Sequence, residues 1–259
     1  MFASRESIYK VLKANNYPNA HSVSNLLSSL DIDHEMVINK ILKGEPLDYV
    51  LGSVEFYDAK IAVNSSVLIP RPETELLVDL VSNEIKKDQS ANLAILDLCT
   101  GSGCIAISLK KKFPSLKVSA VDKSQEALDC AKKNAKLNQV EIEFILSDLL
   151  ESMPKSKFDI VICNPPYISL QEYETLDPSV RLHEPMMALT DFGDGLEIYK
   201  RLGKDLMPFL NPYAKVFFEI GYNQAEAVTK IFSTPFWTKL SCKNDYAGHG
   251  RFFSLESAC

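Results

Sequence analysis

The sequence lacks the patterns that mark membrane, secreted and disulfide-rich proteins. No stretch approaches the roughly 18 uninterrupted apolar residues that a membrane span needs, and the N-terminus has no apolar core with a small-residue cleavage site. The six cysteines form no Cys-x-x-Cys pair, so neither a zinc site nor a disulfide framework is indicated. We therefore predict a soluble, cytoplasmic protein with reduced thiols and no contact with a membrane.

A surplus of positive charge is missing as well. The formal net charge is −6, whereas proteins that bind nucleic acid tightly usually carry a basic surplus that displaces counterions from phosphates. The four histidines are dispersed and show no metal-ligand spacing. We expect neither a bound metal nor direct contact with nucleic acid.

The N-terminal region, residues 1–52, predicts a bundle of short amphipathic helices. Ser4, Ser22 and Asp33 stand at candidate N-caps, and each is followed by apolar residues at helical spacing. Alternating apolar and polar residues then predict a short hairpin, which we assign with its flanks to a linker over 53–72. The remaining residues, 73–259, form the predicted catalytic domain.

In this larger domain, apolar strand-like runs alternate with helical segments. The alternation predicts an α/β fold with a mostly parallel sheet that helices cover on both faces. The last two strands are joined by fewer residues than the dozen or so that a parallel crossover needs, so we predict that they are antiparallel. The predicted strands are Ala94–Leu98, Lys117–Val121, Glu141–Leu146, Phe158–Cys163, Ala214–Ile220, Trp237–Cys242 and Arg251–Leu255.

A glycine-containing turn follows the first of these strands. Glycines there let the backbone turn tightly and let a ligand approach the amides that open the next helix. Asp122 ends the second strand, where a carboxylate can accept hydrogen bonds from ribose hydroxyls. Asp148 and Leu149 follow the third strand, at a position suited to the edge and face of an adenine. The turn itself contains Asp97, Cys99, Thr100, Gly101, Ser102 and Gly103.

These features leave two cofactors open. Residues 101–106 also satisfy the loose G-x-G-x-x-G/A fingerprint of nicotinamide enzymes, with Asp122 at the expected distance. Asp97 favours S-adenosylmethionine, because a carboxylate at the strand end can meet the cationic methionyl portion of that cofactor. The fourth predicted strand decides between them.

That strand ends in Asn164-Pro165-Pro166-Tyr167, which suits catalysis on a planar amide or arylamine nitrogen. The lone pair of such a nitrogen is delocalised, so it is a poor nucleophile. Asn164 can accept one hydrogen from it while donating to another group, and the carbonyl of Pro165, held extended by the next proline, can accept a second. Tyr167 offers a flat face for stacking. No metal or strong base is required, because the sulfonium leaving group is already activated.

At these residues the sequence resembles the HemK/PrmC family of release-factor glutamine methyltransferases, within the class I Rossmann-like methyltransferases. The resemblance covers the chain from about Pro46 onward. Residues 67–75 are similar to the segment between the two domains of the family, 97–103 to its first cofactor motif and 164–167 to its substrate motif. Also in family order are Glu184, Gly193–Leu196, Glu219–Gly221, Asp245 and Arg251.

The resemblance implies a fold, a cofactor and a substrate. The fold is a seven-stranded, mostly parallel sheet with an antiparallel last strand, joined to a small N-terminal helical domain that recognises the partner. The cofactor is S-adenosylmethionine, bound by residues 99–103, Asp122, Leu149 and Asn164. The substrate is the glutamine of the Gly-Gly-Gln motif of class 1 peptide chain release factors, bound by residues 164–167 and methylated on its side-chain amide N5. We expect a monomer.

Three residues depart from the family pattern. Cys99 stands where many members carry glycine, which is tolerated if its backbone angles are ordinary. Leu149 stands where an aromatic residue often stacks on adenine, so we expect weaker cofactor affinity. Asp48 replaces a polar amide.

Other functions fit parts of the sequence. An adenine-N6 methyltransferase of DNA or RNA would use Asn164–Tyr167 on a flipped base, but no basic surface or target-recognition domain is evident. Methylation of a ribosomal-protein glutamine fits less well with the segment at 70–75. A nicotinamide dehydrogenase or a non-catalytic scaffold would leave Asn164 and Tyr167 unexplained.

Overall fold

The structure is a computed structural model that describes residues 4–88 and 92–258, so Cys259 lies outside the described residues. Nine strands occur in the described ranges and form a hairpin and a larger sheet. The hairpin consists of β1 (Ser53–Phe56) and β2 (Ala59–Ala62). The strands of the larger sheet are β3 (Ala94–Leu98), β4 (Lys117–Asp122), β5 (Glu143–Leu146), β6 (Phe158–Cys163), β7 (Leu210–Glu219), β8 (Trp237–Asn244) and β9 (Gly250–Ser257).

Twelve α-helices surround these strands in the same ranges. No helix in that part of the chain is long and apolar enough to cross a membrane. The N-terminal helices are α1 (Arg5–Ala14), α2 (Ala20–Ser28), α3 (His34–Leu42) and α4 (Leu47–Leu51). The others are α5 (Pro72–Lys87), α6 (Cys104–Lys112), α7 (Gln125–Leu137), α8 (Leu170–Tyr173), α9 (Pro178–Arg181), α10 (Met186–Leu189), α11 (Glu197–Asp205) and α12 (Ala225–Phe232).

The larger sheet has the strand order β5-β4-β3-β6-β7-β9-β8. The first five of these strands pair in parallel, and β9 runs antiparallel to both of its neighbours. This arrangement confirms the predicted mostly parallel sheet with an antiparallel last strand. The largest boundary difference is in β7, which begins at Leu210 and not at Ala214, because Leu210 already pairs with Phe158 across an irregularity.

Helices cover both faces of the sheet, which explains why its central strands are continuously apolar. Alternate residues of β3 and β6 belong to two different cores: Ile95 and Ile160 face one, Leu96 and Val161 the other. Helices α5, α6 and α7 contribute to the first core and α11 and α12 to the second. Because helices close both faces, a ligand can reach the sheet only at its ends.

The N-terminal helices have a small core of their own, formed by Ile8, Leu12, Leu27, Val37, Ile38 and Ile41. Ser4 and Asp33 cap α1 and α3 as predicted. The prediction for Ser22 is wrong: α2 begins after Asn19, which adopts a left-handed conformation and makes no side-chain cap bond. Asparagine tolerates that conformation better than most residues, so the helix starts before Ser22. Helix α4 was not predicted, because its flanking Pro46 indicated only a stop.

The hairpin packs into the first core of the sheet. Phe56 and Ile61 are fully buried there with Leu77 of α5 and Ile107 of α6. Asn134 of α7 is also fully buried and binds the hairpin twice: its Oδ1 accepts from Ala62 N at 2.8 Å and its Nδ2 donates to Ala62 O at 2.9 Å. The domain limits at residues 52 and 72 stay a prediction.

Candidate active site

A cavity of about 260 Å³ opens at the carboxyl ends of β3, β4, β5 and β6. Ligands of open parallel sheets bind at this edge. Two further segments complete the wall, one before α5 and one around α10. The predicted site residues on the cavity wall are Cys99, Thr100, Gly101, Ser102, Asp122, Asp148, Leu149, Asn164 and Pro166.

Four predicted site residues are not on this wall: Asp97, Gly103, Pro165 and Tyr167. Gly103 instead begins α6 in a left-handed conformation, with φ of 81°. A Cβ atom at this position would lie 3.1 Å from both the Ala131 Cβ and the Ile107 Cδ1 atoms. Glycine is therefore favoured where α6 packs on α7, and Gly103 shapes the turn, while its contact with the cofactor stays a prediction.

Asp122 holds the glycine turn in place while it faces the cavity. Its Oδ2 accepts a hydrogen bond from Gly101 N at 2.8 Å, and its Oδ1 accepts one from Ser124 N at 3.0 Å. Burial raises the pKa of Asp122, and the backbone donors Ser124 and Gly101 offset part of that effect. Each carboxylate oxygen keeps a lone pair for a further donor, so the residue can also bind ribose hydroxyls.

Asp97 lies behind the same turn and is 1% exposed. Its Oδ2 accepts from Thr100 Oγ1 at 2.6 Å and from Ala106 N at 3.3 Å. Its Oδ1 is buried and has no hydrogen-bond partner among the described residues. Burial is the main reason that the pKa of Asp97 rises to about 7. A buried carboxylate oxygen without a partner is costly, which favours a ligand with a positive group nearby.

The condition set above for tolerating Cys99, ordinary backbone angles, is not met. Its φ is 58°, and Leu149 across the cavity has φ of 51°. The left-handed region costs a non-glycine residue about 1–2 kcal/mol, which explains why glycine suits position 99. Backbone strain at binding sites persists when the surrounding structure enforces it, and both residues pack against the second core.

Arg201 anchors the segment that was predicted to contact adenine. Its Nη1 lies 2.8 Å from Asp148 Oδ1 and its Nη2 lies 3.0 Å from Glu151 Oε1. Asp148 is thus held at the cavity wall from outside the cavity, while Leu149 supplies an apolar surface next to it.

Asn164 directly follows β6, whereas Asp148 follows β5. Because β4 and β3 lie between these two strands, the two residues stand at opposite ends of the cavity. Its Nδ2 donates to Thr74 Oγ1 at 3.3 Å, and Thr74 Oγ1 donates to Glu219 Oε2 at 2.7 Å. Tyr167 donates its hydroxyl to Glu219 Oε1 at 3.2 Å. The first and last residues of the Asn164–Tyr167 turn are thus connected through one carboxylate.

Two segments of the cavity wall are joined by an ion pair between Arg71 and Glu184. Arg71 precedes α5, and Glu184 precedes α10. Among the described residues, no group of three or more His, Cys, Asp or Glu side chains could hold a metal ion. The arrangement combines acceptors for a polar cofactor with an asparagine amide at the end of the same cavity.

Residues 72–180, which contain most of this site, match the methyltransferase small domain family. The chain is 41% identical over 250 residues to a release factor glutamine methyltransferase of Lactococcus lactis, and the match covers 92% of this chain and 91% of that protein. The chain belongs to the release factor glutamine methyltransferase family. The resemblance inferred from the sequence motifs is therefore confirmed.

Solved structures agree with the fold of this methyltransferase family. A methyltransferase from Pyrococcus furiosus has a TM-score of 0.58 at 16% identity, covering 85% of this chain and 96% of that one. An rRNA methyltransferase from T. thermophilus, solved with AdoMet and guanosine, has a TM-score of 0.53 at 15% identity. The match covers 80% of this chain and 49% of that one. At such low identities the likeness shows the fold alone.

Four polar residues of this family member were given no role from the sequence: Arg71, Thr74, Glu184 and Glu219. Thr74 entered the sequence analysis only within the family segment at residues 67–75, and Glu219 only as a residue in family order. The contact between Thr74 and Glu219 joins positions that are 145 residues apart. The sequence offers one signal for Glu219, a carboxylate at the end of an apolar strand, as at Asp97 and Asp122.

Proposed function

We propose that this chain transfers a methyl group from S-adenosylmethionine to the side-chain amide N5 of the glutamine in the Gly-Gly-Gln motif of class 1 peptide chain release factors. The S–CH₃ bond breaks and an N–CH₃ bond forms, and the amide nitrogen releases one proton to solvent. The observation that carries the proposal is that Asn164 lies on the wall of the same cavity as Gly101 and Asp122.

The residues of the cavity fit S-adenosylmethionine. The cofactor would supply an electrophilic methyl group on a sulfonium sulfur. Asp122 can accept hydrogen bonds from ribose hydroxyls, and Asp148 and Leu149 can contact adenine. Asp97 lies behind the glycine turn, from where the charge on its buried, unpartnered Oδ1 can favour the positive methionyl portion. The AdoMet complex of the T. thermophilus enzyme, which shares the fold, supports the same choice.

Positioning is the main catalytic contribution that we assign to the chain. The Asn164 amide oxygen and the Pro165 carbonyl would accept the two hydrogens of the glutamine amide, with Pro166 and Tyr167 shaping the rest of the substrate site. Tyr167 is held through its hydroxyl by Glu219, which leaves its ring for contact with the planar amide. Well-oriented reactants can save up to roughly 7–11 kcal/mol of the barrier, so no general base is needed.

The N-terminal helices are the proposed contact with the body of the release factor. They have their own core, so they can present a surface that is independent of the catalytic residues. We assign residues 1–52 to this role, 53–72 to the connection and 73–259 to catalysis. The proposed enzyme is cytoplasmic and acts as a monomer without direct contact with nucleic acid.

The test is a comparison of four substrates with labelled S-adenosylmethionine: a release factor, its Gly-Gly-Gln glutamine variant, a ribosomal protein and adenine-rich DNA. We expect label only in the unaltered release factor. The matched control is Asn164→Ala, which should lower turnover by about 100-fold or more, by analogy with the loss of one preorganised transition-state hydrogen bond. Label on DNA alone, or equal label on the glutamine variant, would overturn the substrate assignment.

A further inference from the structure

Three elements bring four polar side chains together at one end of the cavity, where Thr74 and Asn164 belong to its wall. Thr74 lies in the first turn of α5, Asn164 and Tyr167 flank the turn after β6, and Glu219 ends β7. Thr74 and Glu219 are each 2% exposed. The hydrogen bonds form one path from Asn164 Nδ2 to Thr74 Oγ1 and then to Glu219 Oε2.

With Glu219 ionised, the donors and acceptors along this path have only one consistent arrangement. An ionised carboxylate accepts hydrogen bonds and donates none, so the single hydroxyl hydrogen of Thr74 points to Glu219. The Thr74 oxygen is then an acceptor towards Asn164, which must present its NH₂ group. If the amide were turned over, its oxygen would face the Thr74 oxygen with no hydrogen between them.

The same carboxylate also holds the far end of the turn. Glu219 Oε1 accepts the Tyr167 hydroxyl at 3.2 Å, and Tyr167 O accepts from Gln224 Nε2 at 2.9 Å. Glu219 therefore uses one oxygen for each end of the Asn164–Tyr167 segment. Burial raises the pKa of Glu219, and the hydrogen bond from Thr74 and the positive charge of Arg251 offset part of that effect.

We propose that Glu219 and Thr74 are positioning residues that set the orientation of the Asn164 amide, so that its oxygen and not its NH₂ group faces the substrate nitrogen. An amide nitrogen substrate donates hydrogens and needs an acceptor at this point. An Asn164 amide turned the other way would present a donor to a donor. The catalytic part of this inference rests on the proposed function.

The kinetic test compares two substitutions at one position. Thr74→Val removes the hydroxyl and keeps the side-chain volume, whereas Thr74→Ser keeps the hydroxyl. We expect Thr74→Val to lower kcat about ten-fold or more, with KM for the release factor and Kd for S-adenosylmethionine within about two-fold of wild type. Thr74→Ser should retain kcat within about three-fold. A purely structural role predicts parallel changes in KM, Kd and thermal stability.

A second measurement does not depend on turnover. The side-chain NH₂ signals of Asn164, assigned by their absence from Asn164→Ala, report the hydrogen bond directly in the full-length protein. We expect their exchange with solvent to accelerate about five- to ten-fold in Thr74→Val, because a hydrogen bond of about 1 kcal/mol is lost, and to stay unchanged in Thr74→Ser. Thr74→Ala gives the same comparison if the valine variant is poorly folded.

The two readouts separate the possible failures. Unchanged NH₂ signals in both Thr74→Val and Thr74→Ala would overturn the assigned orientation, whatever the enzyme methylates. Altered signals together with an unchanged kcat would overturn the catalytic role of the orientation. A wild-type protein that methylates no release factor would contradict the proposed substrate, while the NMR comparison would still decide how Asn164 is held.

Discussion

The Nη2 atom of Arg71 lies 2.5 Å from the Oε1 atom of Glu184, a residue 113 positions further along the chain. Glu184 also accepts a hydrogen bond from Ile69 N at 3.2 Å. Because Arg71, Pro185 and Met187 all line the cavity, this ion pair fixes the distance between two parts of the cavity wall.

Arg71→Ala is expected to lower the free energy of unfolding by about 2 kcal/mol. The Glu184 side chain is only 2% exposed and would lose its cation, but Arg71 is 32% exposed, so the loss should fall below the roughly 3–5 kcal/mol of fully buried pairs. Urea denaturation measures the change. Lys200→Ala, which breaks an exposed pair with Asp194, is the matched control and should cost about 0.5 kcal/mol or less. A loss in Arg71→Ala as small as that expected for the control would mean that the Arg71 pair has no structural importance.

Asp122→Ala should raise the Kd for S-adenosylmethionine about ten-fold or more, since it removes a charged acceptor whose hydrogen bonds are worth roughly 1.5–3 kcal/mol. The variant also frees Gly101 N, which Asp122 holds at 2.8 Å. Calorimetric titration gives the affinity. Asp129→Ala, an exposed acidic position on α7 that is not on the cavity wall, should leave the Kd unchanged. An unaltered Kd in Asp122→Ala would rule out its contact with ribose.

Cys99→Gly is expected to be more stable than Cys99→Ala by about 1 kcal/mol, because only the alanine keeps a Cβ atom at positive φ. Both variants lose the thiol and its packing, so their difference isolates the backbone contribution. Equilibrium unfolding of the two variants in urea provides the comparison. If alanine proves as stable as glycine at this position, the left-handed conformation of Cys99 is not strained.

Affinity for S-adenosylmethionine should fall as the pH is lowered through the pKa of Asp97, about 7. Below that pH the carboxyl group is protonated in the free protein, and a cationic ligand favours its ionised form, so binding must first remove a proton. The Kd should increase about ten-fold between pH 8 and pH 6, because the ionised fraction of Asp97 falls by that factor. A ten-fold change corresponds to roughly 1.4 kcal/mol of binding free energy. Asp97→Asn cannot ionise and should bind weakly with a flat profile over this range. A Kd that does not change with pH in the wild type would contradict the interaction of Asp97 with the methionyl portion.

The strands and the cavity motifs could be predicted because their signals are local. The apolar runs that became β3 and β6, and the polar residues directly after them, needed no knowledge of distant contacts. The cap at Ser22 was predicted wrongly, and the backbone angles of Cys99 could not be predicted, for a different reason. The backbones of Asn19 and Cys99 are left-handed, and neither residue signals that conformation as strongly as glycine does. Thr74 and Glu219 could not be connected from the sequence, because their contact exists only once α5 lies against the end of β7.

The buried amide of Asn134 limits where this chain can be cut. Its partners are Ala62 in the hairpin and Ser102 O in the glycine turn, the latter at 2.9 Å. A fragment that started at residue 73 would keep Asn134 but lose Ala62, and it would uncover the side of α6 and α7 on which Phe56 and Ile61 rest. We therefore predict that a catalytic fragment needs the hairpin as well as residues 73–259, and that a cut between residues 53 and 72 would destabilise it.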